Sequence, residues 1–271
     1  MIGTATNSEP DKNGRCDTAR LALFLLLASQ VVACGGKPLS PVGGESSSIT
    51  VAAAADLMEA LTELGRTFNG QGKTKVIFSF GSSGSLCRQI EEGAPFDIFM
   101  AANQAYVERL EKRGLVIDGT RSVFARGRIT LWQRKDTAYR ADRLEDLIHP
   151  FIRRIAIANP EYAPYGLAAR QALEKAGIWT AIRNKLVFAE NISQCRQFAE
   201  TGNVDAAILA LSISHSPQGR YNLIDSSLYE PILQTVCILR RTRNEPLCRD
   251  WIACLQSPEG KSVMDRYGFL F

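Results

Sequence analysis

The chain has 271 residues and a mass of 29.8 kDa, with 45% hydrophobic, 8% aromatic and 22% charged residues and a formal net charge of +4. That composition is ordinary for a globular protein and excludes collagen, long coiled coils and wholesale disorder. The densest basic patch is only Arg240, Arg241 and Arg243, which argues against a nucleic-acid partner, and two histidines, His149 and His215, are few for a zinc site.

The N-terminus reads as an export leader. Residues 21–28 (LALFLLLA) form an apolar run of eight, short of the about 20 residues of a spanning helix and the length of a signal-peptide core. Arg15 and Arg20 precede it, and Val31-Val32-Ala33-Cys34 followed by Gly35-Gly36 resembles the lipobox of bacterial lipoproteins. Residues 1–34 are therefore expected to be a lipoprotein-type signal peptide, with Cys34 as the acylated residue. A plain secretory leader with an incidental cysteine is the bland alternative. The stretch 35–48 (GGKPLSPVGGESSS) is a flexible tether, ten of its fourteen residues being Gly, Pro or Ser. Five cysteines follow: Cys87, Cys195, Cys237, Cys248 and Cys254. An odd number without a C-x-x-C pair reads as buried small hydrophobes, not a disulfide scaffold.

Short apolar runs then alternate with amphipathic stretches. The pattern predicts a buried strand over 49–55 (ITVAAAA), then a helix opened by Asp56. Asp56-x-x-Glu59 matches a capping box, and Leu57, Leu61, Leu64 and Phe68 follow at helical spacing. A strand over 75–80 and a helix over 86–92 come next, then a strand over 97–101 and a helix over 103–113 stopped by Gly114. Residues 124–134 (FARGRITLWQR) read as one long strand, and a new unit begins at 144–147. Strand 154–159, helix 166–176 ended by Gly177, strand 185–190, helix 192–201 stopped by Gly202 and strand 205–211 follow. A second long strand spans 234–241, and C-terminal helices bracket Ser257-Pro258. Strands alternating with helices imply open, mostly parallel α/β sheets. Two such sets joined by two long strands imply two lobes, 49–127 with 237–271 and 128–236. No internal repeat is visible.

Four strand-to-helix junctions carry small or polar residues where a helix begins: Ala55-Asp56, 81–85 (GSSGS), Ala163-Pro164-Tyr165-Gly166 and Asn191-Ile192. Ligands of open α/β sheets sit beyond the carboxyl ends of strands. Free N–H groups and the helix dipole make each junction a potential anion cradle. Ser, Asp and Asn are also ordinary helix caps, so any one junction alone reads as structure. Together the four suggest an oxyanion site without deciding it against ordinary capping.

Residues 49–57 (ITVAAAADL), 80–90 (FGSSGSLCRQI), 93–103 (GAPFDIFMAAN), 159–173 (NPEYAPYGLAARQAL) and 266–269 (RYGF) resemble, in order, the molybdate-binding proteins of bacterial ABC importers. The resemblance implies an α/β, type II periplasmic-binding-protein fold, two lobes joined by two crossing strands and closing on a tetrahedral oxyanion. It implies molybdate or tungstate as ligand, a membrane permease of an ABC importer as partner, a monomer, no enzymatic activity and no cofactor. The location it implies is periplasmic, with the membrane anchor at lipidated Cys34. Carried over residue by residue, the family's second-loop serine falls on Ser83, with Ser82 beside it, and its backbone amide donors fall on Tyr165 and Ile192. The first-loop serine falls on Asp56. A tyrosine whose hydroxyl often completes the site falls on Ala210, with Ser212 two residues on as a substitute.

Asp56 departs from the pattern, because a carboxylate aimed at a dianion in a dry cleft is repelled. It can cap its own helix and leave backbone N–H groups to the anion. It can accept a proton from a protonated oxyanion such as hydrogen phosphate, or coordinate the ligand's central metal. The capping box favours the first. Phosphate and sulfate stay open as ligands. An enzyme is the rival class, but GSSGS places Ser85 where the second glycine of a nucleophile elbow belongs. His149, before Pro150, and His215, in a Ser-rich turn, read as loop residues and not as general bases. A transferase on the same fold is the remaining alternative.

Overall fold

In the computed structural model, which describes residues 48–70 and 74–271, the alternating runs become two five-stranded sheets with flanking helices. The expected leader, Cys34 and the tether through residue 47 lie outside the described residues. The strands are β1 (Ser48–Ala54), β2 (Lys75–Gly81), β3 (Ile98–Ala101), β4 (Ser122–Gly127), β5 (Ile129–Arg134), β6 (Ile155–Ala158), β7 (Leu186–Ala189), β8 (Ala206–Ala210), β9 (Gly219–Leu223) and β10 (Ile232–Ile238). The α-helices are α1 (Met58–Gly70), α2 (Ser83–Glu91), α3 (Gln104–Lys112), α4 (Pro164–Lys175), α5 (Trp179–Ile182), α6 (Ile192–Glu200), α7 (Glu245–Gln256) and α8 (Pro258–Arg266).

The first sheet runs β2-β1-β3-β10-β4 and the second β7-β6-β8-β5-β9. In the first, β1 is parallel to β2 and β3, and β10 is antiparallel to β3 and β4. In the second, β6 is parallel to β7 and β8, and β5 is antiparallel to β8 and β9. One plan is used twice without a sequence repeat. Strands β3, β6 and β8 (IFMA, IAIA, AAILA) are buried along their whole length, as central strands covered on both faces must be. The apolar stripe of α1 packs onto the first sheet, with Leu61 and Leu64 buried along with Leu57 just before the helix. Gly114, Gly177 and Gly202 end their helices with φ of 70°, 72° and 74°, the left-handed conformation a side chain resists.

Both expected long strands need correction. Residues 124–134 are not one strand but β4 and β5, split at Arg128. The physical reason is that β4 pairs with β10 in the first sheet while β5 pairs in the second, so the chain must leave one ladder before joining the other. Arg128 occupies the break. Its guanidinium donates to the Gly268 carbonyl at 3.1 and 3.0 Å, and its carbonyl accepts from the Leu211 amide at 2.9 Å. The strand expected over 234–241 is β10, which pairs inside the first sheet from Ile232 onward. The return between lobes therefore runs through 224–231, ahead of the boundary expected at 237. Strand β9 (GRYNL) was not anticipated, since a half-exposed edge strand carries no clean alternation.

Candidate functional site

The carboxyl ends of β1, β2 and β3 face those of β6 and β7 across a small pocket. Its lining includes Asp56, Ser82, Ser83, Tyr165, Asn191 and Ile192, so the four junctions singled out in the sequence meet at one point. Among the described residues, no Lys, Arg or His lines it, and Asp56 is its one carboxyl group. Donors come from helix starts instead. Ser83 is the first residue of α2, Ile192 the first of α6, and Tyr165 follows Pro164 at the start of α4. The first four N–H groups of a helix have no partner within it and carry the positive end of its dipole.

The two serines have different tasks. Ser82 caps α2: its hydroxyl donates to Ser85 Oγ at 2.8 Å and accepts from the Ser85 amide at 3.3 Å. Ser83 is fully buried, and its Oγ accepts from the Ala102 amide at 3.0 Å. With a donor already on its oxygen, the Ser83 hydroxyl keeps its own proton for a ligand. Asn191 caps α6 by accepting from the Gln194 amide at 3.0 Å.

Asp56 does not cap its helix, contrary to the capping-box expectation. The chain enters α1 through a 3-10 turn, Ala55–Leu57, whose cap position is Ala54, with no side-chain cap bond. The carboxyl group is 1% exposed. Its Oδ2 accepts from the Tyr165 hydroxyl at 2.8 Å and from Gln234 Nε2 at 2.7 Å, and Gln234 also donates to the Tyr165 oxygen at 3.2 Å. Oδ1 is buried without a hydrogen-bond partner. Burial pushes the Asp56 pKa up from 3.8 to about 7, against the opposing pull of the Tyr165 and Gln234 bonds. The Tyr165 phenol is raised well above its ordinary range, first by burial and then by the Asp56 charge. Gly127 makes room for that phenol, since a Cβ there would sit 2.0 Å from the Tyr165 oxygen. Glu59, the other half of the expected capping box, pairs instead with Arg196 of α6.

The lobes are shut on one another. The Gly84 amide donates to the Tyr162 carbonyl at 2.9 Å, Ser193 Oγ to the Ala55 carbonyl at 3.3 Å and Ser212 Oγ to the Asp56 carbonyl at 2.7 Å. Ser212 thus spends its donor on the backbone and does not stand in for the absent tyrosine; Ala210 is buried at the end of β8 and outside the lining. His149 stacks on Tyr139 at 3.8 Å and His215 meets Tyr221 edge-on, and neither lines the pocket. Among the described residues, no group of three or more His, Cys, Asp or Glu is placed to hold a metal ion.

The model of the bacterial extracellular solute-binding protein family matches residues 49–270. The chain belongs to this family. Its relatives include the molybdate-binding protein ModA of Azotobacter vinelandii, 34% identical over 245 residues, covering 89% of this chain and 97% of that one. ModA of Rhodobacter capsulatus is 30% identical over 236 residues, 87% of this chain and 92% of that one. The solved periplasmic molybdate-binding protein of Azotobacter vinelandii superposes with a TM-score of 0.75 at 26% identity, over 82% of this chain and 99% of that one. The sulfate-binding protein SubI of Mycobacterium tuberculosis H37Rv shares the type II fold, with a TM-score of 0.71 at 16% identity over 82% of this chain and 86% of that one. A solute-binding protein is not an enzyme: it holds its solute unchanged, outside the cytoplasm.

In this solute-binding protein the sequence located the helix starts but missed two side chains. Tyr165 was expected to offer only its amide, yet its phenol crosses from the second lobe to Asp56 of the first. Gln234 had a signal available: it is a lone amide inside the apolar strand ILQTVCI and is fully buried there. A buried amide in a central strand needs partners; Asp56 supplies one to Nε2, while Oε1 stays buried without one.

Proposed function

We propose that this protein binds a small tetrahedral oxyanion, molybdate or tungstate, between its lobes and delivers it to the membrane permease of an ABC importer. The observation that carries this reading is the convergence of helix starts from both lobes on a pocket that, among the described residues, has no cationic side chain. Such a pocket answers negative charge with N–H and O–H donors and helix dipoles. Those donors are divided between lobes, so the site is complete when the lobes are shut and is dismantled when they part. In this reading Ser83 gives its hydroxyl and amide, Tyr165 and Ile192 give amides, and Ser82 holds the loop in shape. The ModA relatives favour molybdate over other oxyanions. Cys34 carries the lipid, and the segment from Gly35 to the first strand lets a monomer reach its permease.

Titration calorimetry with molybdate, tungstate, sulfate and phosphate at pH 6 tests the reading. Molybdate and tungstate should each saturate one site, at least tenfold more tightly than sulfate or phosphate. Binding of none of the four overturns it, and tightest binding of sulfate or phosphate reassigns the ligand.

A further inference from the structure

The pocket presents one chemical conflict. It is built from donors, yet among the described residues its lining includes one carboxyl group, that of Asp56, buried to 1% exposure. Two hydrogen bonds decide how that group is used. Tyr165 and Gln234 both donate to Oδ2, at 2.8 and 2.7 Å, which makes Oδ2 the acceptor oxygen of the pair. Oδ1 is left buried and unpartnered. A buried polar oxygen without a partner is costly unless something else satisfies it. The nearby charges do not interfere: Arg196 on α6 is held between Glu59 and Glu200, and Ser212, the polar residue facing Asp56 from the 3-10 turn after β8, is neutral. Tyr165 faces Asp56 from α4 and Gln234 from β10, and both are donors to it.

We propose that Asp56 serves the anion as a neutral carboxylic acid, its Oδ1–H donating to an oxygen of a fully ionised dianion, so that binding at alkaline pH takes up one proton from solvent. This inference rests on the oxyanion reading above and adds the acid as a specificity element. A fully ionised dianion accepts that proton's hydrogen bond, whereas the ionised carboxylate would repel it. The raised pKa of about 7 agrees with this assignment. The free protein should show the same linkage. Because the folded-state pKa lies above the unfolded value, the native state holds the proton longer. Stability from this group is therefore full below about pH 4, is lost progressively toward pH 7 and is flat above it.

Calorimetric titration of molybdate from pH 6 to 9 in buffers of different ionisation enthalpy decides the matter, with Asp56→Asn alongside. The wild-type affinity should fall about 100-fold from pH 6 to pH 9, close to tenfold per unit above the transition. Uptake should approach one proton per anion at pH 8. Asn also donates from its amide nitrogen, so Asp56→Asn should bind with an affinity flat across this range and exceed wild type at pH 9. A ligand-induced infrared band of a protonated carboxyl group in wild type at pH 8 reads the same event without any variant. Anion binding that is flat in pH, without proton uptake and without that band, overturns the role of Asp56 and leaves the oxyanion reading intact. No binding of any anion at pH 6 overturns both.

Discussion

At the scale of single residues, the site turns on which oxygen or nitrogen is already committed. Ser83 and Ser82 are adjacent and chemically identical, yet only Ser83 keeps a proton to give. A hydrogen bond to a charged group contributes about 1.5–3 kcal/mol, so Ser83→Ala should weaken molybdate binding about 10- to 150-fold by calorimetry. The same change strips the Ala102 amide of its acceptor, which should lower stability by about 1–3 kcal/mol in denaturant unfolding. Wild-type affinity in a folded Ser83→Ala protein would remove Ser83 from the site. The GSSGS loop at a helix start was legible in the sequence, and the family resemblance singled out Ser83 within it. Its division of labour with Ser82 was not legible, because which hydroxyl caps and which is free depends on where β3 brings the Ala102 amide.

Elements show the same split. Helix α2 was visible from its apolar spacing, but its contact with the second lobe depends on Gly84 having no side chain. A Cβ at Gly84 would lie 2.7 Å from the Tyr162 carbonyl oxygen and 2.8 Å from the Tyr162 Cβ. Both belong to the opposite lobe, and the carbonyl is backbone that cannot swing away. Ala is favourable inside a helix, so Gly84→Ala should leave α2 and its lobe folded while wedging the lobes apart. Molybdate affinity should drop at least tenfold. Small-angle scattering with saturating molybdate should give a larger radius of gyration than wild type, with far-UV circular dichroism unchanged. Wild-type affinity and compaction would show that this contact does not govern closure.

For the whole molecule, the two sheets repeat one strand order, and the carboxyl ends of both face the same pocket. In the proposed reading, that arrangement makes the anion a bridge between lobes and ties its capture to their closure. The lipid anchor proposed at Cys34 belongs to this scale as well. Cys34→Ser should move the exported protein from the membrane to the soluble fraction while leaving molybdate affinity unchanged, as cell fractionation and calorimetry would measure. Wild-type protein found soluble and unacylated would overturn the anchor.

The sequence by itself determined the local architecture. Buried runs such as IAIA and AAILA specify central strands because both of their faces must be covered, and glycines at 114, 177 and 202 stop helices where only they adopt a positive φ. It also placed the small and polar residues at strand ends that form the pocket. Only the tertiary structure decided the break at Arg128, because that depends on which ladder claims each half of 124–134. Likewise, Asp56 had a local partner available in the capping-box pattern, and the fold gave it distant ones. Tyr165 and Gln234 lie 109 and 178 residues away in the chain. A local pattern fixes what a side chain could do with its neighbours. Burial among donors from two distant elements sets what it does, because a carboxyl group removed from water takes the strongest hydrogen bonds within reach.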